Sequence, residues 1–360
     1  MNQSDISNIR LHNQQLTANN LLTVKELVGW MGAMQAQDYI QAKWAIGVRM
    51  PQLTEKQIET AFNLGEIIRT HLMRPTWHFV SADDIYWLLE LTAKQIKSIT
   101  KSRNRDLELN EATFKKSQEI LLKVLEGNRS LTREEICSNL NQNGINTDGQ
   151  RAPHILMEAE IDGIICSGGM QAKKQTYALL AERVPVKKTY SKEEALALLA
   201  KKYFTSHGPA TLPDFIWWSG LPVADARKAL EMNKTSLISE TIENDTYWFT
   251  DSTKLPSSPP DSVYLLPAFD EYLISYKNRS AAITADHHSK AISNNGIFRP
   301  IVVVNGQTTG LWKRTFKKDI VIIETEHFRP HNKMEEYLIE KAAETYGHYS
   351  GKITEVKLNS

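Results

Sequence analysis

The sequence has little cysteine and no long apolar run, and these absences narrow its class. Its 360 residues include only two cysteines, Cys137 and Cys166, which form no CxxC pair and have no histidine at the spacing of a metal site. We therefore expect reduced, buried thiols in a cytosolic protein. No apolar stretch approaches the length that crosses a bilayer, and the polar residues 1–5 predict no signal peptide.

The sequence also lacks a strong net charge and the common cofactor motifs. The formal net charge of +1 argues against a polybasic tail but allows local basic surfaces. The P-loop, GxGxxG, HExxH and GxSxG patterns are all missing. His287 and His288 have no third ligand at a useful spacing, which favours a solvated loop over a metal site. We expect neither a metal nor a cofactor.

A pair of glutamines follows an apolar helical pattern near the N-terminus. Thr23 and Glu26 form the pattern of a capping box that starts this helix. Gln35 and Gln37 lie where the helix should end, and in an extended segment both side chains would point to one side. Glutamine can hold a water molecule but does not titrate, so the pair suits reactions with a good leaving group. The alternative is two polar residues that simply end a helix.

The order helix, helix, β-hairpin recurs along the chain and predicts winged helix-turn-helix units. In the first copy, strands at 67–72 and 76–80 flank a turn at Arg74. In the second copy, a Gly-Gly hairpin tip is followed by Lys173 and Lys174, which predicts a basic wing. We expect three such copies, packed together without long linkers.

The third copy and the C-terminal part complete the expected fold. In the third copy, Trp217 and Trp218 are more typical of a core than of a stacking platform. A Pro- and Ser-rich loop is predicted at 254–261. The fold class predicted is α+β, with three tandem winged helix-turn-helix units packed around a C-terminal β-barrel. The predicted boundaries are 1–108, 109–186, 187–255 and 256–360. The strands of the predicted barrel are 263–266, 301–304, 308–312, 320–324 and 352–356, with a helix at 333–346.

Further polar residues accompany the glutamine pair. His78 could carry a proton or contact a phosphate, and a hydrogen-bonded structural histidine is an equal alternative. Asp270 and Glu271 are adjacent, so on a strand they would face opposite ways, and one of them could orient Tyr272, Lys277 or Arg279. Lys313 and Arg314 belong either to a solvated hairpin edge or, beside winged helices, to a phosphate-contact face.

Four motifs stand in an order that resembles a known family: Gln35-Ala36-Gln37-Asp38, Arg74-Pro75-Thr76-Trp77-His78, residues 265–272 and residues 310–314. Over nearly the whole chain they resemble the winged-helix DNA glycosylases of the AlkZ/YcaQ type. That family's fold is three tandem winged helices around a C-terminal β-barrel. Glutamine at both motif positions is similar to the AlkZ-like branch.

The resemblance implies that Gln35 and Gln37 are the catalytic pair. It implies a monofunctional DNA glycosylase that removes N7-alkylated purines and unhooks interstrand crosslinks. Because the N7-alkylated base is already cationic, it leaves without a general acid. The candidate DNA contacts are Arg74, His78, Lys173, Lys174, Lys313 and Arg314, and the supporting residues are Thr76, Asp270 and Tyr272.

The expected partner is double-stranded DNA that carries alkylated or crosslinked purines. We expect a monomer, without a membrane partner, in the cytoplasm and associated with the nucleoid when bound to DNA. The alternative is a non-catalytic DNA-binding protein or regulator that uses the same winged helices. An interaction scaffold is the third alternative.

Overall fold

The computed structural model describes residues 1–17, 21–250 and 261–359. Most of the loop predicted at 254–261 lies outside the described residues. The chain begins with helix α1 (Gln3–Asn13), whose N-terminus is closed by a capping box between Asn2 and Asp5. No helix in the described ranges is long and apolar enough to span a membrane.

The first repeat contains the glutamine pair. Its helix α2 begins at the capping box of Thr23 and Glu26, which confirms the sequence prediction. Three antiparallel strands form a sheet in the order β1-β3-β2. The elements are α2 (Val24–Met31), β1 (Met34–Gln35), α3 (Tyr39–Gly47), α4 (Glu55–Asn63), β2 (Ile67–Leu72) and β3 (Thr76–Ser81).

The second repeat has the same order of elements. It follows the long helix α5 (Ile85–Asp106), and its sheet has the strand order β4-β6-β5. A capping box between Thr132 and Glu135 starts its second helix. The elements are α6 (Glu111–Leu125), β4 (Leu131–Thr132), α7 (Arg133–Gln142), α8 (Arg151–Ile161), β5 (Ile165–Ser167), β6 (Thr176–Leu179) and the short α9 (Leu180–Arg183).

The third repeat keeps this order, but an isolated bridge replaces its first strand. Ala210 pairs with Trp248 at the position where β1 and β4 pair in the other repeats. The elements are α10 (Lys192–Ser206), α11 (Leu212–Ser219), α12 (Val223–Glu231), a 3-10 turn (Lys234–Ser236), β7 (Ile238–Ile242) and β8 (Asp245–Phe249).

The C-terminal part is a five-stranded sheet in the order β13-β12-β11-β10-β9. Its neighbours are antiparallel, except that β13 returns parallel to β12 after a helix. The edge strands β9 and β13 do not pair with each other within residues 261–359, so the predicted barrel is corrected to an open sheet covered by that helix. The elements are β9 (Val263–Leu266), α13 (Glu271–Ile274), α14 (Ala285–Ala291), β10 (Ile301–Val304), β11 (Gln307–Phe316), β12 (Ile320–His327), α15 (Lys333–Ser350) and β13 (Ile353–Asn359).

One hydrophobic core joins the first repeat to the C-terminal sheet. Trp44 on α3 donates a hydrogen bond to the carbonyl of Leu265 on β9, and its ring packs against Tyr346 and Tyr349 on α15. Apolar burial drives this contact, since the residues on both sides belong to the same buried cluster. The segment that follows α2 is therefore held against the C-terminal part.

A buried ion pair lies beside this core. Arg49 donates to both carboxylate oxygens of Asp270, at 2.8 and 2.9 Å, and also to Ala45 and Gln14. Asp270 in turn accepts from the backbone N–H of Tyr272 and caps α13. Both charges are fully buried, so each depends on the other for its compensation.

We predict that Asp270→Ala strongly destabilises the fold. It leaves the Arg49 guanidinium buried without its carboxylate, which costs about 3–5 kcal/mol of unfolding free energy. Urea denaturation followed by circular dichroism measures this loss. Glu344→Ala, which breaks an exposed pair with Lys341, is the matched control and should cost under about 1 kcal/mol. A comparable small loss in both variants would contradict the structural role of Asp270.

Candidate active site

The two glutamines lie on the short connection between α2 and α3. Gln35 is in β1 opposite His78 of β3, and the next residue, Ala36, donates its N–H to the carbonyl of Trp77 at 2.7 Å. Asp38 then caps α3 through the N–H groups of its first turn. The chain is extended at Gln35 and becomes helical directly after Asp38. The glutamine pair therefore lies between two fixed elements, β1 and α3. Gln35 is 7 % exposed, whereas Gln37 is exposed.

Gln35 is held through both its side chain and its backbone. Its Oε1 accepts a hydrogen bond from Nη2 of Arg74 at 3.0 Å, and its backbone N–H donates to Glu271. An arginine has donors only, so the atom that faces Arg74 must be the amide oxygen. The amide orientation of Gln35 is thereby fixed, and its NH₂ group points away from Arg74.

Glu271 is a buried carboxylate surrounded by donors. Its partners are the backbone N–H of Gln35, the Ser275 hydroxyl and the Trp218 indole at 3.3 Å, with His207 Nε2 at 3.6 Å. Burial by itself raises the pKa of Glu271, but the contacts from His207, Ser275 and Gln35 outweigh it and lower the pKa to about 2. Glu271 therefore carries its negative charge at neutral pH.

Arg74 supplies the positive charge at this site. Burial lowers the pKa of its guanidinium, and the nearby charge of Glu271 opposes that shift. Arg74 thus fixes the side chain of Gln35 while Glu271 fixes its backbone. Arg74 was predicted to contact DNA. In the structure its Nη2 donates a hydrogen bond to Gln35.

Gln37 differs from Gln35 in its surroundings. Within the described ranges, no hydrogen bond involves its side-chain amide. It lines an open cavity of about 630 Å³ together with Arg69, Lys43 and Lys173. An unpartnered amide at a cavity wall has both its donors and its acceptor available to a bound molecule.

Arg69 supports the backbone of this segment. It donates to the carbonyl of Ala36 at 2.9 Å and to that of Gln37 at 3.3 Å, and its guanidinium lies 4.0 Å from the centre of the Trp77 ring. Burial lowers its pKa to about 10, which still leaves it protonated at neutral pH. Arg69 was not predicted as a site residue, although an arginine inside the apolar strand 67–72 indicates a side chain that is paired in the fold.

His78 has a structural position. It is 1 % exposed, and its Nδ1 donates to the carbonyl of Thr76 at 3.0 Å. Burial and the charge of Arg74 lower the pKa of His78 to about 4, so the ring is neutral. The role of phosphate contact is therefore corrected in favour of the structural alternative. The supporting residue Thr76 contributes this carbonyl from the first position of β3.

The other basic candidates are divided between two regions. Lys173 and Lys174 are exposed at the hairpin tip between β5 and β6, and Lys173 lines the same cavity as Gln37. Lys313 and Arg314 are on β11, where Lys313 lies 3.4 Å from Glu324 and Arg314 lies 5.6 Å from the Tyr346 ring centre. Among the residues described, neither of these two contacts the glutamine segment.

The neighbours of Glu271 are placed by the start of α13. The pair Asp270 and Glu271 begins α13 rather than lying on a strand, so Asp270 caps the helix and Glu271 reaches Gln35. Tyr272 is buried and donates its hydroxyl to the carbonyl of Gly306 at 2.7 Å. No cluster of three or more metal-ligating side chains is found in the described ranges.

Known proteins resemble this chain over most of its length. A family model described as "DNA glycosylase AlkZ-like" matches residues 28–349. The chain is 22% identical over 319 residues to an interstrand DNA cross-link repair glycosylase of Streptomyces sahachiroi, which covers 84% of this chain and 85% of that protein. The solved structure of Streptomyces sahachiroi DNA glycosylase AlkZ matches with a TM-score of 0.83 at 19% identity and covers 100% of both chains. This similarity shows a shared mixed α/β fold.

The buried neutral His78 predicts a pH dependence of stability. Its pKa is lowered to about 4 in the folded state, so the unfolded chain takes up the proton first as pH falls. The free energy of unfolding should therefore decrease by at most about 3 kcal/mol between about pH 6.5 and pH 4. Above pH 7 this contribution does not change with pH.

Urea denaturation across this pH range measures the effect. His78→Gln should show a shallower decrease because its side chain does not titrate, and its amide can still donate to Thr76. His348→Gln, at an exposed position, is the control and should behave as the unchanged protein does. Equal slopes for His78→Gln and the unchanged protein would contradict the assignment.

Proposed function

The chain belongs to the AlkZ-like DNA glycosylase family, and we propose that it hydrolyses the N-glycosidic bond of cationic N7-alkylated purines in duplex DNA. The substrates proposed include purines joined in an interstrand crosslink, which is what the name of the Streptomyces sahachiroi relative describes. The observation that carries the proposal is the position of Gln37, an unpartnered amide at an open cavity directly after the fixed Gln35.

The proposed chemistry needs a placed water molecule and a favourable electric field. An N7-alkylated purine carries a positive charge and leaves as a neutral base, so no general acid is required. Gln37 is proposed to hold the attacking water through its amide oxygen. The charge of Glu271, buried behind Gln35, favours the positive charge that develops on the sugar in the transition state. Glu271 acts here as a positioning residue, since it touches Gln35 and not the substrate.

Gln35 is proposed to have a different role from Gln37. Its amide oxygen is engaged by Arg74, so its NH₂ group is the part that remains for a water or a substrate oxygen. One glutamine thus presents an oxygen and the other an N–H donor. A pair with these complementary ends can orient one water molecule through two hydrogen bonds.

The environment of Lys43 fits a monofunctional glycosylase. A lyase reaction through a Schiff base requires a neutral amine. The amine of Lys43, at the cavity of Gln37, is engaged in ion pairs with Glu55 and Glu59 at 2.7 Å each and is not free to attack a sugar carbon. We therefore expect abasic DNA as the product, with strands that break only after treatment with alkali.

The repeated order of elements supports a DNA-binding architecture. We propose that the three repeats are tandem winged-helix units within 1–108, 109–186 and 187–255, and that 256–360 forms a C-terminal unit. Lys173 and Lys174 would contact phosphates beside Gln37, whereas Lys313 and Arg314 would contact phosphates farther along the duplex. The protein is proposed to act as a monomer on nucleoid DNA.

We predict that Gln37→Ala and Gln35→Ala each lower the excision rate about 100-fold or more, because each removes a preorganised group near the reacting atoms. The affinity for duplex DNA should remain, since neither residue is a cation. Excision of 7-methylguanine and of an N7-linked crosslink is measured on denaturing gels, with and without alkali. A protein that binds duplex DNA but releases neither base would be the non-catalytic alternative.

We predict that Glu271→Gln lowers the maximal single-turnover rate about tenfold or more and leaves the half-saturating enzyme concentration unchanged. The variant keeps the size of the side chain and removes its charge, but its NH₂ group replaces an oxygen that accepts hydrogen bonds. Its urea denaturation is therefore measured beside its rate, so that a loss of charge is separated from a loss of structure. Glu119→Gln, an exposed carboxylate on α6, is the matched control. An unchanged maximal rate in Glu271→Gln would show that the buried charge has no part in the reaction.

A further inference from the structure

Trp217 is an exposed aromatic residue close to the candidate active site. It is 41 % exposed on α11, whereas its neighbour Trp218 is 1 % exposed and belongs to the core. The prediction that both are core residues is thus confirmed for Trp218 and wrong for Trp217. The exposed part of the Trp217 ring is therefore apolar surface close to the candidate active site.

The Trp217 ring is held in one orientation. Its indole Nε1 donates to the carbonyl of Ile274 at 2.8 Å, and Ile274 is the last residue of α13, the helix that begins with Glu271. The ring is therefore fixed to the same short helix that fixes Gln35. A rigid aromatic ring loses little conformational entropy when a flat molecule stacks on it.

Two guanidinium groups lie over this ring. Arg74 and Arg279 lie 5.7 and 5.4 Å from its centre. For comparison, Arg69 lies only 4.0 Å from the centre of the Trp77 ring. Since Arg74 also contacts Gln35, the exposed ring is one arginine side chain away from the catalytic pair.

Arg279 has unused donors next to the ring. Its Nε donates to the carbonyl of Leu273 at 2.9 Å, and within the described ranges its two Nη groups have no hydrogen-bond partner. It lines an open cavity of about 630 Å³ with Lys277 and His288, and the carboxylates of Asp214 and Asp245 line the same cavity. Asp214 of α11 accepts from the backbone N–H groups of Lys277 and the following residue, which fixes this loop to the helix that carries Trp217.

We propose that Trp217 and Arg279 form a nucleotide subsite next to the catalytic pair. Trp217 stacks against a planar aromatic group of the substrate, and Arg279 binds a phosphate of the same strand. The combination of an exposed ring and a partly unpaired guanidinium matches the two parts of a nucleotide. The subsite rests on the proposed glycosylase function, for which it supplies substrate affinity rather than chemistry.

The planar group has two sources. It is either a nucleobase next to the lesion or an aromatic ring carried by the adduct. A nucleobase is present in every substrate, whereas an adduct ring is present only in some. Duplexes that contain 7-methylguanine or 7-benzylguanine distinguish these sources, because only the second adduct carries a ring.

The test compares Trp217→Ala, Trp217→Phe and the unchanged protein in single-turnover excision of both adducts. Trp217→Ala should raise the half-saturating enzyme concentration about tenfold or more, with a smaller effect on the maximal rate. Trp217→Phe loses the indole donor but keeps a ring, so it should retain most of the affinity. Tyr337→Ala, an exposed aromatic residue on α15, is the matched control.

If Trp217→Ala loses affinity for both adducts, the ring stacks against a nucleobase. If it loses affinity for 7-benzylguanine alone, the ring stacks against the adduct. Unchanged half-saturation with both adducts, or an equal loss in Tyr337→Ala, would overturn the subsite. Arg279→Gln tests it without altering the ring and should lower the salt dependence of duplex binding by about one phosphate contact. An unchanged salt dependence would show that Arg279 does not bind a phosphate.

Failure of the subsite can be told apart from failure of the proposed function. If the unchanged protein excises neither adduct, the glycosylase proposal fails. Binding of the intact 7-benzylguanine duplex, which carries both kinds of ring, is followed by fluorescence anisotropy and still reports on Trp217. Weaker binding by Trp217→Ala, but not by Tyr337→Ala, would then retain the nucleotide subsite, and equal binding by all variants would reject it.

Discussion

The buried carboxylate of Glu271 is the interaction on which the candidate site depends. It accepts hydrogen bonds from the backbone of Gln35 in the first repeat, from Trp218 in the third and from Ser275 in the C-terminal part. A carboxylate that is buried without such donors would take up a proton instead. The charge is therefore retained only when three parts of the chain are in place. The candidate site therefore depends on the tertiary fold, because a change that separates these three parts also removes the donors of Glu271.

The position of Glu271 is itself set by its neighbour. Asp270 caps α13 and is fixed by the Arg49 pair, so the first turn of this helix has one orientation. From there the constraint passes through Glu271 to Gln35 and, two residues later, to Gln37. The exposed amide that faces the cavity is thus positioned by a series of buried polar contacts rather than by packing around itself.

Local patterns in the sequence predicted much of the fold. Capping boxes and alternating strands are determined by neighbouring residues, so the start of α2 and the bounds of β2 and β9 were predicted at or near their observed positions. The same local patterns pointed to the glutamine pair and to Lys173, whose roles stay predictions. The contact between Gln35 and Glu271 joins residues 236 positions apart, and no local period reports on such a contact. For the same reason the sequence patterns did not point to Arg49 and Arg69, and the short helix α13 was not predicted.

The two glutamines are alike in sequence and unlike in the structure, and this difference has a physical cause. Gln35 lies in a sheet, where Arg74 holds its side chain and Glu271 holds its backbone. Gln37 lies one pleat farther on, past the last pair of that sheet, where the chain turns into α3. There it is exposed, so among the described residues its amide remains without a protein partner. In the reaction that we propose, a cationic base leaves without a general acid, so one fixed amide and one free amide are enough to orient a water molecule.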